Sequence, residues 1–309
     1  MKITKIIVSS VLVLNLVQVC FAVNSKVGTT GAQFLKIGTG CRPIAMGGAQ
    51  AALADDVHAM YWNPGGLGHV EAREVMAQHI IWFQDIAYEY LAVAYPLETI
   101  GTFGFSASYV SAGDIEKRTS DTNDPEGTYT ANDLAVGVSY GRMLGRKIGV
   151  GLNLKYIKGV IDNYSATAFA VDLGALYHPN KSKLSVGLAV QNIGSELKYI
   201  NEGDPLPLNI KLGFGYRMLR DEALTFALDV NYPNDNDINA GVGAEYVLEV
   251  GRSIKLPLRV GYKTLNDFDT IDGLSAGVGF KIERYSLDVA WVPYGDLGDT
   301  YRISLMAKF

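Results

Sequence analysis

The sequence predicts an all-β transmembrane barrel of fourteen antiparallel strands, its lumen occupied by an N-terminal hatch containing short helices. Three observations carry this. From Arg73 onward apolar residues recur at every second position in segments of about ten residues, the length a tilted strand needs to cross a bilayer. The connections between these segments alternate between short and long, as in bacterial outer-membrane barrels. The last nine residues, YRISLMAKF, set Tyr301, Ile303, Leu305, Ala307 and Phe309 against Arg302, Ser304, Met306 and Lys308, and a strand ending on an aromatic is how many such barrels close.

At the other end, Lys2 and Lys5 precede an apolar stretch from Ile6 to Val19, followed by Cys20, Phe21 and Ala22. A basic start, an apolar middle and a small residue at the cut describe a secretory signal over residues 1–22. A retained helix fits less well, because Ser9, Ser10, Asn15 and Gln18 interrupt a stretch already short for a span. A lipid anchor at Cys20 fits less well again, with Val17 and Val19 as its neighbours. Removal of Cys20 leaves Cys41 as the single thiol, so no internal disulfide is expected. Without Lys2 and Lys5, 25 of the 27 basic residues face 32 acidic ones, a net charge of −7 that argues against nucleic acid as a partner.

The predicted strands cover 73–83, 86–95, 101–112, 131–143, 147–159, 165–178, 184–193, 206–218, 223–232, 238–249, 254–264, 271–282, 285–294 and 299–309. Each has one apolar face. Leu208, Ile210, Leu212, Phe214 and Tyr216 oppose Asn209, Lys211, Gly213, Gly215 and Arg217; Leu224, Phe226, Leu228 and Val230 oppose Thr225, Ala227, Asp229 and Asn231. The face carrying charges and glycines is assigned to the lumen, and the apolar face to lipid. Lys155, Asp172, Lys211, Arg217, Asp229, Glu245, Asp288 and Arg302 are therefore expected to pair inside, since charge facing lipid is costly.

With a periplasmic start, every even-to-odd connection is short, and the two longest, Gly113–Thr130 and Gly194–Pro205, lie on the opposite side and are acidic. Tyr140, Tyr177, Tyr216, Tyr246 and Phe309 fall at predicted periplasmic strand ends, and Tyr109, Tyr156, Tyr232, Tyr262 and Tyr301 at external ones. Two aromatic belts are what two lipid–water interfaces call for.

Residues 23–72 follow other rules. Ala49 to Ala54 are small and helix-prone, and Asp55 or Asp56 is placed to cap a short helix through Met60. Asn63 suits a second N-cap, Pro64 the first helical position and Gly68 the stop. About fifty residues without staples form a poor independent domain. Their economical place is inside the barrel, so the division is signal 1–22, hatch 23–72 and barrel 73–309. No enzyme is predicted: His58, His69, His79 and His178 lack metal-ligand spacing, and Gly38-x-Gly40 meets Pro43 where a dinucleotide fingerprint wants glycine. No cofactor is expected. A rim-sited lipid hydrolase is the one enzymatic alternative that the residues leave.

The stretch GTTGAQFLKIGTGCRPIAMGGAQAALADDVHAMYWNPGGLG, residues 28–68, resembles the N-terminal signature of the PorV/PorQ family, a branch of the FadL-like outer-membrane barrels. The resemblance continues architecturally to Phe309. It implies a fourteen-stranded barrel with a luminal hatch in the bacterial outer membrane, and an Asn-Pro-Ala hatch element matched here by Asn63, Pro64 and Gly65, the candidate binding motif. It also implies passage of hydrophobic small molecules resembling long-chain fatty acids. Its secretion branch instead implies a shuttle in type IX secretion that receives cargo proteins bearing a C-terminal signal domain. A third class, an adhesive or structural barrel, stays open. Expected partners are outer-membrane lipid, a hydrophobic solute or secreted cargo, and the barrel-assembly machinery acting through Phe309.

Overall fold

The computed structural model describes residues 26–83, 86–121, 123–179, 182–219, 223–251, 253–264 and 273–309. The signal predicted over residues 1–22 lies outside them. The strands are β1 (Glu74–Ile81), β2 (Ala87–Leu97), β3 (Gly101–Lys117), β4 (Gly127–Leu144), β5 (Ile148–Ile161), β6 (Tyr164–Tyr177) and β7 (Leu184–Gly194). After two short strands, β8 (Leu197–Lys198) and β9 (Gly203–Asp204), come β10 (Asn209–Met218), β11 (Leu224–Pro233), β12 (Asn239–Val250), β13 (Ile254–Lys263), β14 (Leu274–Ile282), β15 (Tyr285–Pro293) and β16 (Asp299–Lys308). All but β8 and β9 join one closed barrel of fourteen strands, each paired antiparallel with its neighbour in the chain. Closure leaves no sheet edge, so every spanning backbone group finds a partner without water.

The seam pairs β1 with β16 from Glu74↔Lys308 to Ile81↔Tyr301. The Phe309 amide extends it, donating to the Arg73 carbonyl at 2.8 Å.

Alternation sorts the side chains as period two requires. Ile210, Leu212, Phe214, Tyr216, Phe226 and Leu228 are exposed on the outer face, whereas Lys211, Arg217, Thr225 and Asp229 are buried inside. Tyr109, Tyr156, Tyr232, Tyr262 and Tyr301 at one end, and Tyr177, Tyr216 and Tyr246 at the other, face outward. His79 and Glu89 also face out. They are cross-strand partners bonded at 2.7 Å near the ends of β1 and β2, where charge is cheaper than at mid-membrane.

Two connections are more ordered than the sequence pattern conveys. The predicted 113–130 loop is half strand, because β3 and β4 continue past a bulge between Ala112 and Ile115 to pair as far as Lys117↔Gly127. Within the connection after Gly194, β8 and β9 form a hairpin whose Leu197 is buried in a cluster with Ala32 and Phe34 of the hatch.

The hatch lies in the lumen as a 3-10 turn at Gln33–Lys36, helices at Cys41–Ala45 and Ala59–Trp62, and a 3-10 helix at Pro64–His69. Ala49 to Ala54 form no helix. Gly47 and Gly48 enter the segment at φ +67° and +75°, and the Gln50 and Ala51 amides donate to the Asp229 carboxylate of β11 instead of to a helical carbonyl. The chain there follows the wall because the wall supplies better acceptors than another turn of helix.

Cys41 is completely buried beneath β16. Burial pushes its thiol up to about 11, against a partial opposing effect of the Ser304 hydrogen bond. With thiolate scarce and access closed, Cys41 in the folded barrel should resist maleimide at pH 8 and label fully after denaturation, read by mass spectrometry of its peptide. Stoichiometric labelling of the folded protein would show that the hatch does not seat as described.

Candidate functional site: the hatch anchor and the outer vestibule

The hatch meets the wall through glycine. Direct cross-strand pairs Gly141↔Gly151, Gly151↔Gly174, Gly187↔Gly213 and Gly243↔Gly261 clear a path around the inner face. A Cβ at Gly151 would lie 2.1 Å from the Pro64 carbonyl oxygen, and one at Gly187 would lie 2.0 Å from that of Ala51. These glycines are therefore spacers for the hatch. The sequence also allows Gly101, Gly104, Gly149 and Gly151 as weak points in the wall, but the last three press directly on Met60, Gly65 and Pro64.

Polar side chains of the wall satisfy the irregular hatch backbone. Gln78 accepts from the Gly40 amide at 2.5 Å, Glu74 from Val57 at 2.7 Å, and Arg302 donates to the Gly38 carbonyl at 2.8 Å. Gln191 donates to Tyr61 O at 2.6 Å. Buried backbone groups outside helices and strands need such partners.

Charges pair across the same boundary. Arg42 binds Glu245 through two nitrogens at 3.1 and 2.9 Å, and Arg259 bridges Glu245 and Asp288 at 2.6 and 2.5 Å. Arg217 holds Asp55 at 2.6 Å, and Lys155 holds Asp172 at 2.7 Å. Asp55 thus serves the wall. Asp56 takes the local role, accepting from the His58 amide at 3.0 Å and bonding its ring at 2.7 Å, while the Ala59–Trp62 helix itself has no side-chain cap. Burial alone would raise the Asp56 carboxyl, but His58, Lys308 and Arg42 hold it well below the usual range.

Asn63, Pro64 and Gly65 sit where hatch and wall are closest. Asn63 is fully buried; its Oδ1 accepts from the Gly65 amide at 3.1 Å and its Nδ2 donates to Ala51 O at 2.7 Å and Ala175 O at 3.0 Å. One side chain therefore caps the Pro64–His69 helix and ties two hatch segments to β6. Gly65 has no room to be alanine, since its Cβ would lie 2.6 Å from Ala175 Cα. Gly68 does not end the helix, which runs on to His69; it lies against the Arg142 carbonyl instead.

On the side of the longer connections, taken as extracellular, hatch and wall separate around a cavity of about 370 Å³. Its walls include Lys36, Lys211, Lys263 and Arg302, a single acid, Asp235, the amides of Gln191, Asn192, Asn209, Asn231, Asn236 and Asn239, and the rings of Tyr61, Trp62, Trp82 and Tyr294. These residues come from the hatch, from six strands and from the connections between strands, so no local motif announces them. Asp235 accepts from Thr30 at 2.6 Å, Lys36 at 2.9 Å and Gln33 at 3.2 Å, fastening the hatch's first turn to the rim. Burial raises its carboxyl, and those donors more than reverse the effect, leaving it below the usual range.

A closed barrel of fourteen strands plugged from its own N-terminus has the fold of the FadL-like outer-membrane barrels. CymD, a monoaromatic hydrocarbon channel, superposes with a TM-score of 0.61 at 13% identity over 88% of this chain and 98% of its own. The toluene transporter TbuX of Ralstonia pickettii gives 0.55 at 14% identity over 88% and 98%, and a FadL homologue of Pseudomonas aeruginosa 0.56 at 12% over the same shares. Residues 21–234 match the family described as Type IX secretion system protein PorV, and the chain belongs to that family. No curated protein matches it in sequence.

Two outcomes test this geometry. Gly65→Ala should destabilise the hatch by about 1–3 kcal/mol, the usual cost of overpacking, and Asn63→Ala by a similar amount, from the lost cap and orphaned carbonyls. Both should speed proteolysis of the hatch while leaving the barrel heat-modifiable on gels; unchanged proteolysis would dismiss the anchor. The second outcome concerns pH. Because Asp235 has a depressed folded pKa, its contribution is complete above the unfolded value of about 4 and is lost as pH falls through the folded one. Tryptic cleavage after Lys36 should therefore be slow at pH 7 and faster in Asp235→Asn. Stability measured by denaturant should converge for the two proteins as pH falls below the depressed folded pKa of Asp235.

Proposed function

We propose that this chain works in the outer membrane as a sealed barrel component of type IX protein secretion, and that its hatch is a structural stopper. The observation that carries the reading is the hatch's fixation. Glycine contacts, backbone hydrogen bonds and ion pairs join it to strands on every side of the lumen. Membership of the PorV family supports the same reading. In this scheme residues 1–22 direct export, 23–72 form the stopper and 73–309 the wall. Asn63, Pro64 and Gly65 anchor the stopper and do not contact a solute.

The alternative, passive uptake of hydrophobic molecules as in the toluene and hydrocarbon channels of similar fold, is favoured by one observation, the presence of an outer cavity large enough for a ligand. Its lining is mixed, with Leu35, Ile37, Trp62, Trp82 and Leu274 beside the polar groups. Four cationic and six amide side chains line it, where an acyl chain or toluene calls for apolar walls.

Deletion of the gene in its own host separates the two. The secretion reading expects proteins with a shared C-terminal domain to disappear from the surface and medium, and the same proteins to co-purify with the barrel in mild detergent. Normal secretion together with slowed uptake of a hydrophobic solute would reverse the assignment.

A further inference from the structure

The cationic side chains of the outer cavity are not balanced by acids. Among its lining residues four are cationic and one, Asp235, is acidic, and Asp235 already serves Thr30, Gln33 and Lys36. The two deepest cations are the least well served. Lys211 is only 5% exposed; Asp229 of β11 attracts it from beyond ion-pair distance while accepting from the Gln50 and Ala51 amides, and its ammonium rests over the Trp62 ring, 4.4 Å from the centroid. Arg302 is 2% exposed; it spends one nitrogen on the Gly38 carbonyl, while its Nε is buried without a partner. Its guanidinium lies 5.5 Å from the centroid of Trp82. Elsewhere in the lumen Arg42, Arg259, Arg217 and Lys155 all face carboxylates within 3 Å.

A buried cation with no carboxylate in contact is expensive, and two in one cavity repel each other. Low-dielectric walls also concentrate their field at the mouth, where Lys263 and Lys36 add to it. Aromatic faces at Trp62, Trp82 and Tyr294 offer a flat apolar surface beside the charge, and the amides offer both donors and acceptors. We propose that this cavity is a binding site for a compact oxyanion, a small molecule carrying a carboxylate or phosphate, with the charged group held between Lys211 and Arg302 and its remainder against the tryptophans. A volume of about 370 Å³ suits a molecule of one ring or a few carbons and is small for a long acyl chain. The site opens outward, so the ligand reaches it without crossing the hatch. This assignment does not depend on the secretion reading.

The test uses the full barrel in detergent with Trp291→Phe, which removes the one of three tryptophans outside the cavity lining. Fluorescence is titrated with benzoate, inorganic phosphate and, as the neutral counterpart, benzyl alcohol. At least one anion should give a saturable change, with benzyl alcohol binding at least tenfold more weakly. Response to benzoate alone assigns a carboxylate, and to phosphate alone a phosphate. Lys211→Met should weaken binding at least tenfold. Lys263→Gln, at the exposed mouth, should weaken it severalfold without touching the packing. Lys255→Met, which removes a charge at the opposite end of the barrel, should change nothing. Equal affinity for benzoate and benzyl alcohol, no saturable response to either anion, or binding indifferent to both Lys211→Met and Lys263→Gln in correctly folded protein would overturn the assignment.

Discussion

The constraint on which this structure depends is the hydrogen-bond demand of a plug that has almost no regular secondary structure. A barrel wall satisfies itself, strand to strand, but residues 30–70 are mostly turns and short helices, whose amides and carbonyls would be orphaned in a dry lumen. The wall answers with side chains: Gln78, Glu74, Asp229, Gln191 and Arg302 each take a hatch backbone group. It answers also with absence of side chains, because the glycines of β4 to β7, β10, β12 and β13 let hatch backbone lie directly on wall backbone. Polar residues and glycines on one face of a strand are then two parts of one device.

The same demand orders the electrostatics. A carboxylate such as Asp229 satisfies two amides at once, and the Arg42–Glu245–Arg259–Asp288 chain links a hatch helix to three strands. Ion pairs of this kind contribute modestly to net stability, since desolvation offsets much of their attraction. Their effect is positional: breaking one strands a partner, so the hatch has one well-satisfied seat. The outer cavity departs from this rule, since Lys36 pairs with Asp235 but Lys211 and Arg302 have no carboxylate within ion-pair distance among the described residues.

Much of this was legible from the residues. Period-two alternation located all fourteen strands, because one face must meet lipid and a slip of one residue would reverse every side chain. Asn63 followed by Pro64 located a helix start, since a cap and a missing donor are local chemistry. What stayed hidden was set by contacts distant in sequence. Ala49 to Ala54 have helical propensity, but Asp229 of β11 takes their amides. Gly68 has the look of a stop, but its place is fixed by Arg142 of β4. The hairpin of β8 and β9 has too few residues for a pattern and exists because Leu197 covers Phe34. The cavity is the extreme case, since Lys211, Lys263 and Arg302 meet only after three strands have been rolled into a cylinder.

The two halves of the lumen therefore impose different physics on anything arriving from outside. Exchange of a small molecule with the outer cavity displaces water and no protein bond. Passage beyond it must part the hatch from the wall, undoing the Asn63 bonds, the paired Asp229 contacts and at least one buried ion pair. Each of these costs about 1–3 kcal/mol when broken singly, against a thermal energy of roughly 0.6 kcal/mol. The losses are not additive, but even two together make the parted state rare, about one molecule in thirty or fewer. A barrel built this way is poorly suited to continuous leak and well suited to staying shut. Movement of the hatch has to be driven by the binding energy of something that prefers the parted state. A ligand in the outer cavity touches the hatch at Lys36, Tyr61 and Trp62 as well as the wall, so it favours the parted state only if those contacts are stronger there.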